Sequence, residues 1–235
     1  MPILALETAT LVSSVALATA DTLLAEITLQ TKKTHSELLM PHIDKILAMA
    51  EVSKADIKAV AVSVGPGSFT GLRIGLATAK TLAYAMNVPL IGVPTLAALA
   101  YGCLVPGVIL APMLDAQKGN VYHALFEWRS GELKELMPPT VMYIDEALDN
   151  LAEYNTPVVL MGEATVLHRA KIQQIGKNLV LAAPHLIIQR AGSVATLGHI
   201  LISQGRQDDV MALEPLYIRR SEAEVLWERR HGGNL

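Results

Sequence analysis

The sequence predicts an α/β protein of two lobes, each a mixed β-sheet flanked by helices. Two patterns carry this. Three apolar or alternating runs open the chain and strand–helix units follow them, the order of a sheet that begins antiparallel and ends parallel. The second half repeats that order in shortened form, sharing pattern but not residues. The chain therefore divides into an N-terminal lobe, residues 1–104, and a shortened C-terminal lobe with a last helix and tail, residues 105–235.

Residues 2–7 (PILALE), 13–20 (SSVALATA) and 23–30 (LLAEITLQ) read as strands, and Asp21-Thr22 is short enough for a tight hairpin. Thr34-His35-Ser36-Glu37 has capping-box spacing, in which hydroxyl and carboxylate each satisfy an orphan amide. Leu38, Leu39, Ile43, Ile46, Leu47 and Ala50 then recur at helical spacing, with a kink or later start expected at Pro41. A short turn at residues 53–56 leads to a strand rich in β-branched residues at 58–64, the loop GPGSFT at 65–70 and a helix over 71–86. A strand at 89–93 and a short helix at 95–101 complete the first lobe. In the second, strands are expected at 108–114, 121–128, 133–142 and 158–161, and helices at 144–153, 164–175 and 193–204.

Composition narrows the function classes. Hydrophobic residues make up 51% and charged residues 17%, which excludes a disordered polar chain. A net charge of −3 gives no basic field for independent nucleic-acid binding. Arg219, Arg220, Arg229 and Arg230 gather near the end, but Glu222, Glu224 and Glu228 interrupt them; the stretch reads as a solvated tail or a contact strip for an acidic partner or RNA. Cys103 is the single cysteine, so neither an internal disulfide nor a thiolate metal cluster can form, which suits a reducing cytoplasm; its apolar setting should leave it inert. The opening residues carry no basic segment of a signal peptide. Residues 81–114 lack any charge, yet four prolines and three glycines break them as they would short buried elements, and no membrane span is expected.

Few residues suggest chemistry. The loop Gly65-Pro66-Gly67-Ser68-Phe69-Thr70-Gly71 lies between strand and helix, where phosphate loops lie. It lacks the Lys-Ser/Thr ending of a P-loop, and its glycines are one residue too widely spaced for a dinucleotide fingerprint. A tight turn with Ser68 or Thr70 capping the helix is the competing reading. His35, Glu37 and His42 could share a helical face, but no third ligand stands close; capping and, for His42, a surface position are favoured. Glu7 and Asp115 end matching strands of the two lobes and form a conceivable hydrolytic pair, or Asp115 simply holds its hairpin. On the helix after the loop, Gly71, Gly75, Thr78 and Ala79 make a strip of small side chains that overlaps an apolar stripe of Leu72, Leu76, Ala79 and Ala83, with Leu82 beside it. Glycine inside a helix is costly, so the strip implies a close approach, by a partner or by the protein's own sheet.

Residues 3–10 (ILALETAT), 34–37 (THSE), 65–80 (GPGSFTGLRIGLATAK), 115–122 (DAQKGNVY) and 215–219 (PLYIR) occur in the order found in the TsaB (YeaZ) family, which the whole length resembles. The resemblance implies the two-lobed actin-like fold (ASKHA, ribonuclease H-like) and a cytoplasmic role in transferring a threonylcarbamoyl group to the adenosine beside the anticodon of tRNAs reading codons that begin with A. It implies a non-catalytic dimerisation or scaffold subunit, working with TsaD and TsaE, pairing with itself when alone, and meeting tRNA as the complex's substrate. Catalysis, metal and ATP then belong to the partners, TsaD being a paralogue with an H-x-x-x-H metal pair. Here the corresponding positions are Thr95 and Leu99, so no metal site is expected. The family usually has Asp at Glu7 and an arginine pair at Gln117-Lys118, departures that weaken a nucleotide site at Glu7, Thr8, Thr10, Gly67, Ser68, Asp115 and Lys118. The resemblance also tips the Gly71–Gly75 strip toward a partner or dimer interface. An actin-like ATPase or kinase, or a metallopeptidase-type hydrolase, is the alternative, and each needs phosphate or metal elements that are missing from the sequence.

Overall fold

Three antiparallel strands, β1 (Ile3–Glu7), β2 (Val12–Ala18) and β3 (Leu23–Gln30), begin the first sheet; parallel β4 (Ala59–Gly65) and β5 (Leu90–Pro94) complete it in the order β3-β2-β1-β4-β5. The computed structural model describes residues 1–31, 34–175 and 178–219. The second sheet holds β6 (Ile109–Asp115), β7 (Asn120–Arg129), β8 (Glu132–Tyr143), β9 (Val158–Met161) and β10 (Leu179–Leu181), in the order β10-β9-β6-β7-β8. Pro138 and Pro139 fall in an irregularity between the pairs Leu125↔Met137 and His123↔Thr140, where a missing amide donor breaks no ladder bond.

The faces of the first sheet differ in side-chain size. Leu4, Leu6, Val15, Leu17, Val60 and Val62 pack under α1 (His35–Met49) and α2 (Phe69–Met86). Ile3, Ala5, Ala16, Ala59 and Ala61 point the other way, toward α3 (Thr95–Tyr101) and α8 (Ala191–Ser203). Small side chains on that face let α8 sit close: a Cβ on Gly198 would lie 2.9 Å from the Ala61 Cβ. The last described helix thus returns to the first sheet, although it follows the second in sequence. In the second sheet, α3 and α7 (Pro184–Ile187) cover the inner face, while α4 (Ile144–Ala152), α5 (Glu163–Leu167) and α6 (Arg169–Ile175) cover the outer one.

Local expectations fare unevenly. Thr34 and Glu37 form the capping box, and α1 passes through Pro41, whose ring is exposed, without ending there. The helix expected over 164–175 is two, α5 and α6, separated at His168. The strip on α2 needs correction. Gly71, Leu72, Gly75, Leu76, Ala79 and Ala83 are buried within this chain, while Thr78 and Leu82 are half-buried. What approaches the glycines is the end of β1: an added Cβ would lie 2.1 Å from the Thr8 carbonyl oxygen at Gly71 and 2.1 Å from Thr8 Oγ1 at Gly75. Those six residues are packed inside this chain rather than presented to a partner. The outward face of α2 is Arg73, Ala77, Thr81, Tyr84 and Ala85. Of the C-terminal arginines, Arg220, Arg229 and Arg230 lie outside the described residues.

Candidate functional site

The two lobes meet where β1 and β6 end, and each strand delivers a carboxylate there. Glu7 is completely buried. Its Oε1 accepts the Ala9 N–H at 2.6 Å, and its Oε2 has no hydrogen-bond partner. Burial pushes its carboxyl up to about 7, against the smaller opposing effect of the Ala9 amide, and the charge of Glu163 raises it further. Glu163, the first residue of α5, is also pushed up to about 7, mainly by burial and further by the Asp115 charge; the Asp115 amide and the Thr10 hydroxyl pull the other way. Asp115 Oδ1 accepts the Gln117 N–H at 2.9 Å and so holds the β6–β7 turn, as one of its two sequence readings expects.

Around these carboxyls several polar groups are engaged within the chain, while Ser63 Oγ and Gln189 Nε2 are buried without a hydrogen-bond partner. Thr10 Oγ1 donates to Gln189 Oε1 at 2.9 Å, and Thr8 Oγ1 donates to the Gly71 carbonyl at 2.8 Å. His35 Nε2 lies 2.8 Å from the Thr10 carbonyl oxygen, which ties α1 to the same turn. Gly67 abuts Ala9 so closely that a Cβ would lie 2.3 Å from its carbonyl oxygen, and the Ser68 N–H donates to that oxygen at 2.6 Å. Ser68 Oγ accepts the Gly71 N–H at 3.2 Å and caps α2. GPGSFT is therefore a packed turn whose Ser68 amide faces the Thr8–Thr10 segment and whose Gly65 amide is bonded to the Thr95 hydroxyl. A phosphate would have to displace that segment to reach the Ser68 amide.

Of the positions named from sequence, Glu7, Thr8, Thr10, Gly67 and Ser68 come together at the end of β1, and Glu163 joins them to Asp115. Lys118 lies exposed in the β6–β7 turn at a φ of 55°. Glu163 and Gln189 were missed. Glu163 stands directly after β9 in Met161-Gly162-Glu163, as a carboxylate at a strand end, the signal that singled out Glu7 and Asp115; Gln189 offers no such signal. His42 lies on the buried face of α1 rather than on the surface, and burial lowers its pKa. Among the described residues no group of three His, Cys, Asp or Glu side chains could hold a metal ion. Thr95 is fully buried with its hydroxyl accepting the Gly65 N–H at 3.0 Å, and Leu99 packs in the core of the second sheet. Cys103 is buried, which pushes its thiol up.

Known proteins agree with this arrangement. A family model described as "TsaD: tRNA N6-adenosine threonylcarbamoyltransferase" matches residues 22–227. The tRNA threonylcarbamoyladenosine biosynthesis protein TsaB of Bacillus subtilis is 34% identical over 97% of this chain and 98% of its own. That of Escherichia coli is 30% identical over 99% of each. YeaZ from Pseudomonas aeruginosa superposes with a TM-score of 0.78 over 92% of this chain and 99% of its own, at 23% identity, and so shares the two-lobed actin-like fold. With relatives aligned over nearly its whole length and the same fold in their structural counterpart, the chain belongs to the TsaB family.

Proposed function

We propose that this chain is a non-catalytic, partner-binding subunit in the biosynthesis of threonylcarbamoyladenosine in tRNA, assembling in the cytoplasm with TsaD- and TsaE-type subunits that hold the metal and ATP. The observation that carries the reading is the state of Thr95 and Leu99. These positions resemble the metal-binding pair of TsaD, and here both are built into the core, one through a hydrogen bond to the Gly65 amide. The packed GPGSFT turn supports it, since the loop stiffens α2 rather than cradling a phosphate.

A scaffold works through its surface, and α2 offers one. Arg73, Ala77, Thr81 and Tyr84 form its outward stripe, with Tyr84 77% exposed and Ala77 small enough at mid-helix for another helix to approach closely. Beside it α1 exposes Met40 and Met49. The occupant we assign to this face is the paralogous TsaD-type subunit, with a second copy of this chain taking its place when the partner is absent. Ala77→Arg should leave a folded chain that no longer binds a TsaD-type subunit in size-exclusion chromatography with light scattering. A folded variant that binds normally would overturn the assignment.

The hydrolase reading draws on one observation, the carboxyls of Glu7 and Glu163 with raised pKa values, since perturbed groups cluster at active sites. Against it stand the complete burial of Glu7 and the internal engagement of the amides that would hold phosphates. Steady ATP hydrolysis by the chain alone, abolished by Glu163→Gln, would restore it.

A further inference from the structure

The motif at residues 215–219 belongs to a strap that follows α8. Its first part runs along the open edge of the first sheet. The Asp208 N–H donates to the Leu90 carbonyl at 3.0 Å, and the Asp208 carboxylate accepts the Gly92 N–H at 2.7 Å. Leu213 packs over Gly92, where a Cβ would come within 3.1 Å of the leucine methyl, and Lys80 Nζ donates to the Met211 carbonyl at 2.9 Å. The strap then crosses between lobes. The Leu216 N–H donates to the Val64 carbonyl at 2.7 Å. Tyr217 stacks on Phe69, the first residue of α2, with centroids 4.0 Å apart and planes 13° from parallel. Arg73 lies 4.5 Å above the Phe69 ring and donates from Nε to the Tyr217 hydroxyl at 3.0 Å. Ile218 is half-buried against the core of the second sheet, and Arg219 donates to the Ala116 carbonyl in the β6–β7 turn.

Four consecutive residues therefore hold β4, the outer end of α2, the second core and the β6–β7 turn. The chain bends at Ile218 and Arg219, so that Tyr217 serves one lobe and Ile218 the other. Nothing here depends on the buried carboxyls. We infer that residues 216–219 form a latch coupling the first turn of α2 to the β6–β7 turn of the other lobe, so that whatever seats on Arg73 and Phe69 changes the order of that turn. If the outer face of α2 is the docking surface proposed above, docking is transmitted by this route. The coupling itself is a property of the chain alone and stands or falls without a partner.

Spatial adjacency does not establish coupling; a reciprocal effect between the two ends does. Amide hydrogen exchange on the full chain reads it. The Ala116 N–H donates to the Asn120 carbonyl and the Asn120 N–H to the Gln117 carbonyl, both at 3.0 Å, so both amides report the turn. Arg73→Met removes an exposed guanidinium with its bond to the Tyr217 hydroxyl and its contact with the Phe69 ring, and it should speed exchange at Ala116 and Asn120 roughly tenfold. Tyr217→Ala should do the same. Arg219→Ala should reciprocally speed exchange at Gly71 and Leu72, while Tyr84→Ala, on the same helix but away from the strap, should change neither end. If Arg73→Met and Arg219→Ala each accelerate only their own end, the latch is refuted, and this holds even where Tyr217→Ala fails to fold.

Discussion

Replacing Glu7 by glutamine should make the protein more stable at high pH and leave it little changed at low pH. The folded chain holds the Glu7 carboxyl at about 7, against an ordinary value of 4.5. Below pH 4.5 both folded and unfolded chains carry the proton, and its contribution to stability is fully present. Between 4.5 and 7 the unfolded chain gives up its proton while the folded chain keeps it, so each rise in pH favours unfolding. Above 7 the folded chain has ionised too, and the contribution is gone. At roughly 1.4 kcal/mol per tenfold change in proton affinity, the loss across this window is about 3 kcal/mol. Glutamine keeps an acceptor for the Ala9 N–H and never ionises, so the variant lacks the loss. Urea unfolding of both proteins from pH 4.5 to 8 measures it. The difference in stability should grow with pH by about 3 kcal/mol, a midpoint shift of roughly 1–2 M for a slope near 2 kcal/mol/M. His123, which burial lowers to about 4, titrates alike in both proteins and cancels in the difference, whereas Glu163 also loses its charge interaction with Glu7 in the variant. A difference independent of pH would mean that Glu7 is ionised when folded, and would refute burial as the cause of its raised pKa.

The glycines of α2 give a second test. Gly75→Ala should cost at least ~1–3 kcal/mol and be rescued in part by Thr8→Ala, because the obstacle is a side-chain oxygen at 2.1 Å; Gly71→Ala should not be rescued, because its obstacle is the Thr8 carbonyl. Thermal melts of the four variants would decide it, and equal rescue at both positions would refute the packing described. Threonylcarbamoyl transfer reconstituted with a TsaD-type subunit should survive Asp115→Asn with a modest loss, since Asp115 holds a turn; a loss of ~10⁴-fold with the complex still assembled would give it a proton-transfer role. Thr95→His combined with Leu99→His should take up no stoichiometric metal and should lose ~2–5 kcal/mol of stability, the cost of truncating or polarising a core leucine. Wild-type stability with one ion bound per chain, by elemental analysis, would show that the site survives in this fold.

The order of elements was legible because each long element has a clear period. The run of alternating leucine, valine and alanine through β1, β2 and β4 sorts large side chains toward α1 and α2 and small ones toward α8. The break between α5 and α6 was not legible, since neither glycine nor proline marks His168, and β10 has only three residues, too few to show a period. The glycine strip shows where local reasoning ends. Glycine in a helix says that something comes close, and its spacing says on which side, but whether that something is Thr8 of the same chain or a second protein depends on where β1 ends in space. Glu163 was missed for a related reason. Its partners Thr10 and Asp115 are brought to it by the meeting of two sheets, and no spacing along the chain records that meeting.

These packed contacts bear directly on what such a fold can do. A two-lobed protein whose function is chemistry must leave donors and acceptors open in the cleft between its lobes. Here the Ser68 amide and the Thr8 and Thr95 hydroxyls have partners within the chain, and the groups left without one, Glu7 Oε2, Ser63 Oγ and Gln189 Nε2, are buried. The same contacts make α2 rigid, because its first turn is capped by Ser68, pressed against Thr8 through two glycines and clamped from outside by Tyr217. A rigid helix presenting a stripe of small and aromatic side chains can dock with little loss of conformational freedom, which is where affinity is otherwise lost. On the proposed function, this capped and clamped helix is the element that holds the partner in place.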